Sequence, residues 1–311
     1  MPKLKCTIPN GFDSPIALPK DEDEERLWQD LNRSWWETHP MTYDWAGKFD
    51  FDEFTQEFYL ELDRRFFLGA KEYMPWNKIP FDSLINFNSL GDKDVLEIGV
   101  GSGSHAQLLA HYSKSFTGID ITDYAVKSTS TRMKCFGYDA KILRMDAEQI
   151  NFDDNSFDFI WSWGVIHHSS NTNKILAEMS RVLRPGGRAI VMVYHRSFFN
   201  YYIVNGLISG ILLGDFFRAK SIHKTAQYWT DGAIARYYSA PEWKELCSKF
   251  FNVEDMWVFG QKSGLIPLPA GKIKDLILRI IPNPLSRFLT NKCKMGEFLV
   301  AKLKKPIKPL A

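Results

Sequence analysis

The sequence of 311 residues has little cysteine, four in all. Cys6, Cys135, Cys247 and Cys293 lie far apart, with no CxxC pair and no histidine at zinc spacing. A disulfide scaffold and a structural zinc site are thereby excluded, and reduced thiols in a cytosolic protein are expected. A large charge of either sign is missing too: 39 Lys and Arg stand against 37 Asp and Glu, a formal charge of +2. A dedicated nucleic-acid binder usually carries a larger basic excess, so no nucleic-acid partner is expected. Long apolar runs are absent. The most apolar stretch, residues 201–217, is broken by Asn205, Gly206, Ser209, Gly210 and Asp215, whereas a spanning helix needs about 20 apolar residues. Residues 1–20 hold no apolar core of the signal-peptide kind. The expectation is a soluble, cytoplasmic protein.

What is present is a mix of strands and helices. Apolar residues make up 45% of the chain, ample for a large core without metal or disulfide staples. Residues 1–88 are aromatic-rich and read as a helical extension. Asp21, Glu22, Asp23, Glu24 and Glu25 mark a helix start, since carboxylates suit the positive end of a helix. Phe51, Phe54, Phe58, Leu62 and Phe66 recur at helical spacing and predict an amphipathic helix. From residue 89 to 311 strands alternate with helices: strands at 94–98, 115–120, 141–145, 157–163 and 188–194, with helices between them. The run Arg184-Pro185-Gly186-Gly187 reads as the turn into the fifth of these. Later strands are expected at 253–258 and 298–303, with insertions at about 196–240 and 260–296. The predicted fold is α/β, a doubly wound Rossmann-like sheet.

The strongest chemical signal is Glu97-Ile98-Gly99-Val100-Gly101-Ser102-Gly103. Glycines between a strand and a helix let a ligand approach the backbone. A dinucleotide fingerprint would place Gly or Ala at 104, where Ser stands. Glu97, two residues before the first glycine, suits a ligand with an ammonium group better than a pyrophosphate. The run resembles motif I of class I S-adenosylmethionine-dependent methyltransferases. Gly118-Ile119-Asp120 is similar to the family's second motif, whose acid holds both ribose hydroxyls, and Asp146-Ala147-Glu148 to its adenine-side acid. Residues 157–168 resemble the fourth strand and active-site loop, and residues 181–187 the turn before strand five. These motifs occupy about 100 residues in the family's order.

The resemblance implies a seven-stranded sheet with the last strand, Phe298–Leu303, antiparallel beside strand five. It implies S-adenosyl-L-methionine as cofactor, held by Glu97, Gly99, Gly101, Gly103, Asp120, Ile121, Asp146, Ala147 and Trp163, with Tyr43 reaching its methionine end. No metal is implied. The sequence lacks the [DN]-P-P-[YF] loop of DNA amine methylation and the Pro-Cys nucleophile of C5-cytosine methylation, which leaves small-molecule acceptors. A general base is needed only for an alcohol or a protonated amine. Its candidates are His167, His168 and His195, and a reaction without a histidine base stays open. Trp35, Trp36 and Trp45 beside Tyr43, together with Arg236, Tyr237 and Tyr238, are candidate acceptor residues.

The reading is a methyltransferase acting on a small molecule, with oxygen favoured over nitrogen or carbon. Two alternatives stand beside it. One is a peripheral enzyme of lipids or quinones, with residues 201–217 and 272–289 at a bilayer surface; it is less favoured. The other is a non-catalytic S-adenosylmethionine-binding protein. Residues 28–45 and 196–240 are expected to cover the carboxyl edge of the sheet. Deleting residues 1–45 is expected to harm turnover far more than cofactor binding.

Overall fold

The computed structural model describes residues 8–43, 50–212, 214–268 and 271–307. Cys6 and Trp45 therefore lie outside the described residues. Two helices come first: α1 (Glu22–Thr38), where the Asp21 side chain accepts from the backbone of Glu24, and α2 (Gln56–Tyr73), capped by Thr55. The acidic run thus opens a helix as expected. The aromatic stripe is only partly helical, because Phe51 and Phe54 precede α2 and Phe54 has a φ of 67°. Phe58 and Leu62 are buried within the helix.

The sheet follows. It comprises β1 (Asp94–Ile98), β2 (Ser115–Asp120), β3 (Lys141–Arg144), β4 (Phe157–Trp163), β5 (Leu183–His195), β6 (Tyr237–Tyr238), β7 (Asn252–Phe259) and β8 (Phe298–Lys304). Their order is β3-β2-β1-β4-β5-β8-β7, with the two-residue β6 paired to the end of β5. Strands β1 to β5 run parallel, and β8 lies antiparallel between β5 and β7. The seven expected strands are all present; the eighth, β6, belongs to the insertion and was not expected. Helices α3 (Ser104–Tyr112), α4 (Asp123–Phe136) and α5 (Thr172–Val182) are the crossovers. The insertion after β5 holds a helical segment, Phe198–Leu212, then α6 (Asp215–Ala219) and α7 (Ile222–Tyr228). After α8 (Ala240–Ser248) and β7 come α9 (Lys272–Ile280) and α10 (Asn283–Arg287), separated at Pro282.

Period-two alternation divides the core between the two faces of the sheet. Leu96, Ile160 and Val191 face α5 and α8, where Leu176, Met179 and Trp243 are buried. Their neighbours Val95, Phe159 and Ile190 face the other way, with Tyr73, Phe81, Leu109 and Met133. One local expectation is corrected. Residues 184–187 do not precede β5 but bulge within it, since Leu183 pairs with Phe157 and Arg188 with Phe159. Gly186, at φ 81°, turns the bulge, and its N–H donates to Lys305 O at 3.0 Å. Among the described residues no helix is long and apolar enough to cross a membrane.

Candidate active site

The carboxyl ends of β1, β2 and β4 open into a cavity of about 810 Å³, at the upper end of the roughly 300–1,000 Å³ usual for ligand sites. Gly99, Gly101 and Gly103 all have positive φ, which side-chain-bearing residues rarely adopt. Each has its own reason to be glycine. A Cβ on Gly99 would fall 2.2 Å from Val165 Cγ2, and one on Gly103 would fall 2.9 Å from Arg132 Cδ. A Cβ on Gly101 would meet nothing within 4 Å, although Gly101 lines the cavity. The backbone at Gly101 is thus a bare cradle. Gly101→Val is expected to fill it and reduce cofactor binding at least about tenfold, with a strain cost of about 1–2 kcal/mol from the positive φ. Equilibrium dialysis beside thermal unfolding checks this, and a folded variant that binds normally places the ligand off the loop.

Asp120 closes β2 on the same cavity wall. Its carboxylate accepts from Gly101 N at 3.2 Å, from Thr122 N at 3.0 Å and from Thr122 Oγ1 at 2.8 Å. Burial raises its pKa above the ordinary value. A carboxylate oriented this way retains lone pairs for a diol. Ile121, Asp146, Ala147, Trp163 and Tyr43 also line the cavity. Trp163 stacks on Trp161 at 5.2 Å, and the Tyr43 ring stacks on Phe66. The cradle and the carboxylate fit a nucleoside with a free ribose diol.

Glu97 is placed differently from expectation. It is buried beneath the loop and does not line the cavity, because β1 directs it inward. Its Oε2 has no hydrogen-bond partner among the described residues, and burial, then Asp120, pushes its pKa well up. His105 takes the wall position instead, 3.8 Å from Glu97 Oε1. Burial lowers the His105 pKa to about 3, so the ring is neutral. Sequence reasoning missed this residue, and missed Arg132 and Thr129, which hold the loop carbonyls of Ser102 and Gly101.

Helix α1 grips the cofactor side. Gln29 Nε2 donates to both Asp146 oxygens, at 2.9 and 3.0 Å, while Gln29 Oε1 accepts from Ser170 N. Glu37 accepts from Asp123 N and Tyr124 N and so caps α4. Truncation at residue 45 would remove both contacts. Some loss of cofactor binding is therefore expected beside the larger loss of turnover. Glu148 lies beside this grip, accepting from Ser170 Oγ and Asn171 N at 2.8 Å. Burial raises its pKa to about 7 from the ordinary 4.5. A raised carboxyl stabilises the fold fully below about pH 4.5, and that contribution is lost as pH rises through about 7. Glu148→Gln is therefore expected to gain stability on the wild type between pH 5 and 8, by at most about 3 kcal/mol. Urea unfolding at the two pH values measures it; an unchanged difference contradicts the assignment.

The histidines separate clearly. His168 lines the cavity, and its Nδ1 lies 2.7 Å from Ile234 O. A carbonyl only accepts, so Nδ1 carries the proton and Nε2 is the basic nitrogen. Gly232, at φ 84°, makes this possible: a Cβ there would sit 2.5 Å from Nδ1. Trp36 meets the His168 ring edge-on at 5.0 Å. His167 is fully buried against Tyr194, with ring centroids 4.0 Å apart, and does not line the cavity. Burial keeps it neutral. His195 is also off the cavity, its Nδ1 donating to Gly296 O at 2.8 Å.

The proposed acceptor residues divide in the same way. Trp36 and Tyr237 line the cavity. Trp35 does not; it stacks on His39 at 4.3 Å. Tyr238 is buried in the core, where its hydroxyl donates to Thr172 Oγ1. Arg236 is fully buried and works as a clamp. It donates to the carbonyls of Ala17, Ser169 and Ser170 and lies 5.5 Å over Phe12 and 5.9 Å over Trp28. The cavity is also lined by residues not singled out in the sequence, among them Tyr73, Trp229, Lys274 and Glu297. Glu297 accepts from Gln261 N at 2.9 Å, and burial raises its pKa to about 7.

Sheet order, glycine cradle and Asp120 together define an open α/β domain whose carboxyl edge fits a nucleoside. Comparison with known proteins agrees. The methyltransferase-domain family profile matches residues 96–191. Over 100 residues the chain is 39% identical to a phthiotriol/phenolphthiotriol dimycocerosates methyltransferase of Mycobacterium tuberculosis, covering 32% of this chain and 36% of that one. It is 35% identical over 102 residues to the sarcosine/dimethylglycine N-methyltransferase of Halorhodospira halochloris, covering 32% and 37%. The matches thus span about a third of each relative. A structure from Bacillus halodurans assigned as a methyltransferase superposes with a TM-score of 0.50 at 18% identity, over 73% of this chain and 98% of that one. Residues 96–191 match a methyltransferase domain, and the chain shares the α/β fold of the Bacillus halodurans structure.

Proposed function

We propose that the protein transfers the methyl group of S-adenosyl-L-methionine to a small-molecule acceptor, at oxygen in preference to nitrogen or carbon. The observation that carries this is the shared cavity: Gly101 and Asp120 line it together with His168, Trp36 and Tyr237. The bound cofactor supplies a methyl group activated on a sulfonium. Asp120 accepts from the ribose diol and fixes its orientation. The aromatic walls exclude water, and holding both reactants in line is worth up to about 7–11 kcal/mol. His168 Nε2 takes the acceptor proton as the new bond forms, while Nδ1–H stays on Ile234 O.

The names of the relatives support methyl transfer; one names a triol and the other an N-methyltransferase. The oxygen preference rests on His168. Residues 1–88 serve as the extension that covers the site, with the insertion at 196–240 completing the cover. Nucleic acid is not the acceptor in this reading. The free thiols Cys135, Cys247 and Cys293 support a reducing, cytoplasmic setting. Incubation with methyl-labelled donor and a metabolite extract tests the proposal. It predicts label in a small organic product; label in no product points to a non-catalytic binder.

A further inference from the structure

Helix α9 wears its apolar side outward. At 100° per residue, Ile273, Leu276 and Ile280 share one side of the helix. They are 72%, 60% and 71% exposed, and no residue of α9 is buried. The flank beside it, Ile277, Lys274 and Leu278, is half-buried and faces the protein, and Lys274 reaches the cavity wall. Just beyond, Leu285 and Phe288 are also exposed. Lone exposed aliphatics are ordinary, but a set on one helix side marks an interaction surface.

Charge identifies the partner. Residues 260–296 hold seven basic side chains (Lys262, Lys272, Lys274, Arg279, Arg287, Lys292 and Lys294) against one acid, Asp275. That is +6 in a chain of +2, so the rest of the molecule carries −4. Lys272 and Arg279 fall at the edge of the exposed aliphatic side and are themselves exposed. A second copy of the chain would bring a second positive face and repel. We infer that α9 docks the protein on an anionic lipid surface, with Ile273, Leu276 and Ile280 in the acyl boundary and Lys272 and Arg279 among the headgroups. Because Lys274 of the same helix borders the cavity, docking sets the cavity beside the bilayer, open to an amphipathic acceptor. That last clause rests on the methyl-transfer reading; the docking itself does not.

Co-sedimentation of the full chain with phosphatidylcholine vesicles, with and without phosphatidylserine and without cofactor, tests the docking. Binding is expected only with phosphatidylserine, and salt should release it. Ile273→Ser/Leu276→Ser/Ile280→Ser should lose at least about tenfold in vesicle affinity with an unchanged unfolding temperature, since none of the three is buried. Lys272→Glu/Arg279→Glu, which leaves the aliphatic side intact, should lose it too. Leu68→Ser, removing an exposed leucine of α2, should bind as the wild type does. Failure to sediment overturns the inference, as does sedimentation indifferent to phosphatidylserine or to the α9 variants. A wild-type dimer in light scattering that the triple serine variant dissolves overturns it in favour of self-association. Loss of methyl transfer with vesicle binding intact would count against the enzymatic reading alone.

Discussion

Asp120→Ala is expected to weaken binding of S-adenosyl-L-methionine about 10²-fold or more while the protein stays folded. Two hydrogen bonds from a ribose diol to a charged acceptor are lost, at about 1.5–3 kcal/mol each. The variant also frees the N–H groups of Gly101 and Thr122 that the carboxylate now holds, so the glycine cradle loosens. Asp120→Asn keeps one carbonyl acceptor and should lose about tenfold. Burial raises the pKa of Asp120, so affinity should also fall with acidification, as the carboxylate is neutralised. Calorimetric titration of the folded variants, and of the wild type across pH, measures all three effects. Unchanged affinity in Asp120→Ala would remove Asp120 from the cofactor site.

His168→Gln is expected to lower turnover about 10²–10⁴-fold, the usual contribution of a general base. Cofactor affinity should change little, because the glutamine amide can still donate to Ile234 O and keep the loop in place. His167→Gln and His195→Gln, both off the cavity, should act through stability and not through the chemical step. Single-turnover kinetics on the three variants separate these cases. Turnover retained in His168→Gln would mean that the acceptor needs no proton removed, as at an unprotonated amine.

The cofactor half of this site was legible in the sequence because it is local. A strand, a glycine turn and a helix are contiguous, and backbone geometry restricts which residues can stand there. Gly101, Asp120 and Asp146, singled out for that reason, all line the cavity. The rest of the lining was legible only in part: Trp36 and Tyr237 were singled out, whereas Tyr73, Trp229 and Glu297 are distant in sequence and no local pattern announces them. Misplacements have physical causes of the same kind. Arg236, grouped with Tyr237 and Tyr238 as a candidate acceptor residue, is instead satisfied in the interior by three backbone carbonyls and two rings. Glu97 looked like a ligand contact, but β1 turns it beneath the loop, and His105 holds the wall. Tyr237 and Tyr238 alternate across β6, so one reaches the cavity and the other Thr172.

The central claim is that the Gly101–Asp120 cradle holds S-adenosyl-L-methionine in a cavity it shares with His168. Titrating S-adenosyl-L-methionine into the full chain by calorimetry tests it most directly, with Gly101→Val titrated alongside. The account predicts one saturable site per chain in the wild type, lost in the variant. No saturable binding to the folded wild type, or equal binding by the folded variant, would contradict it.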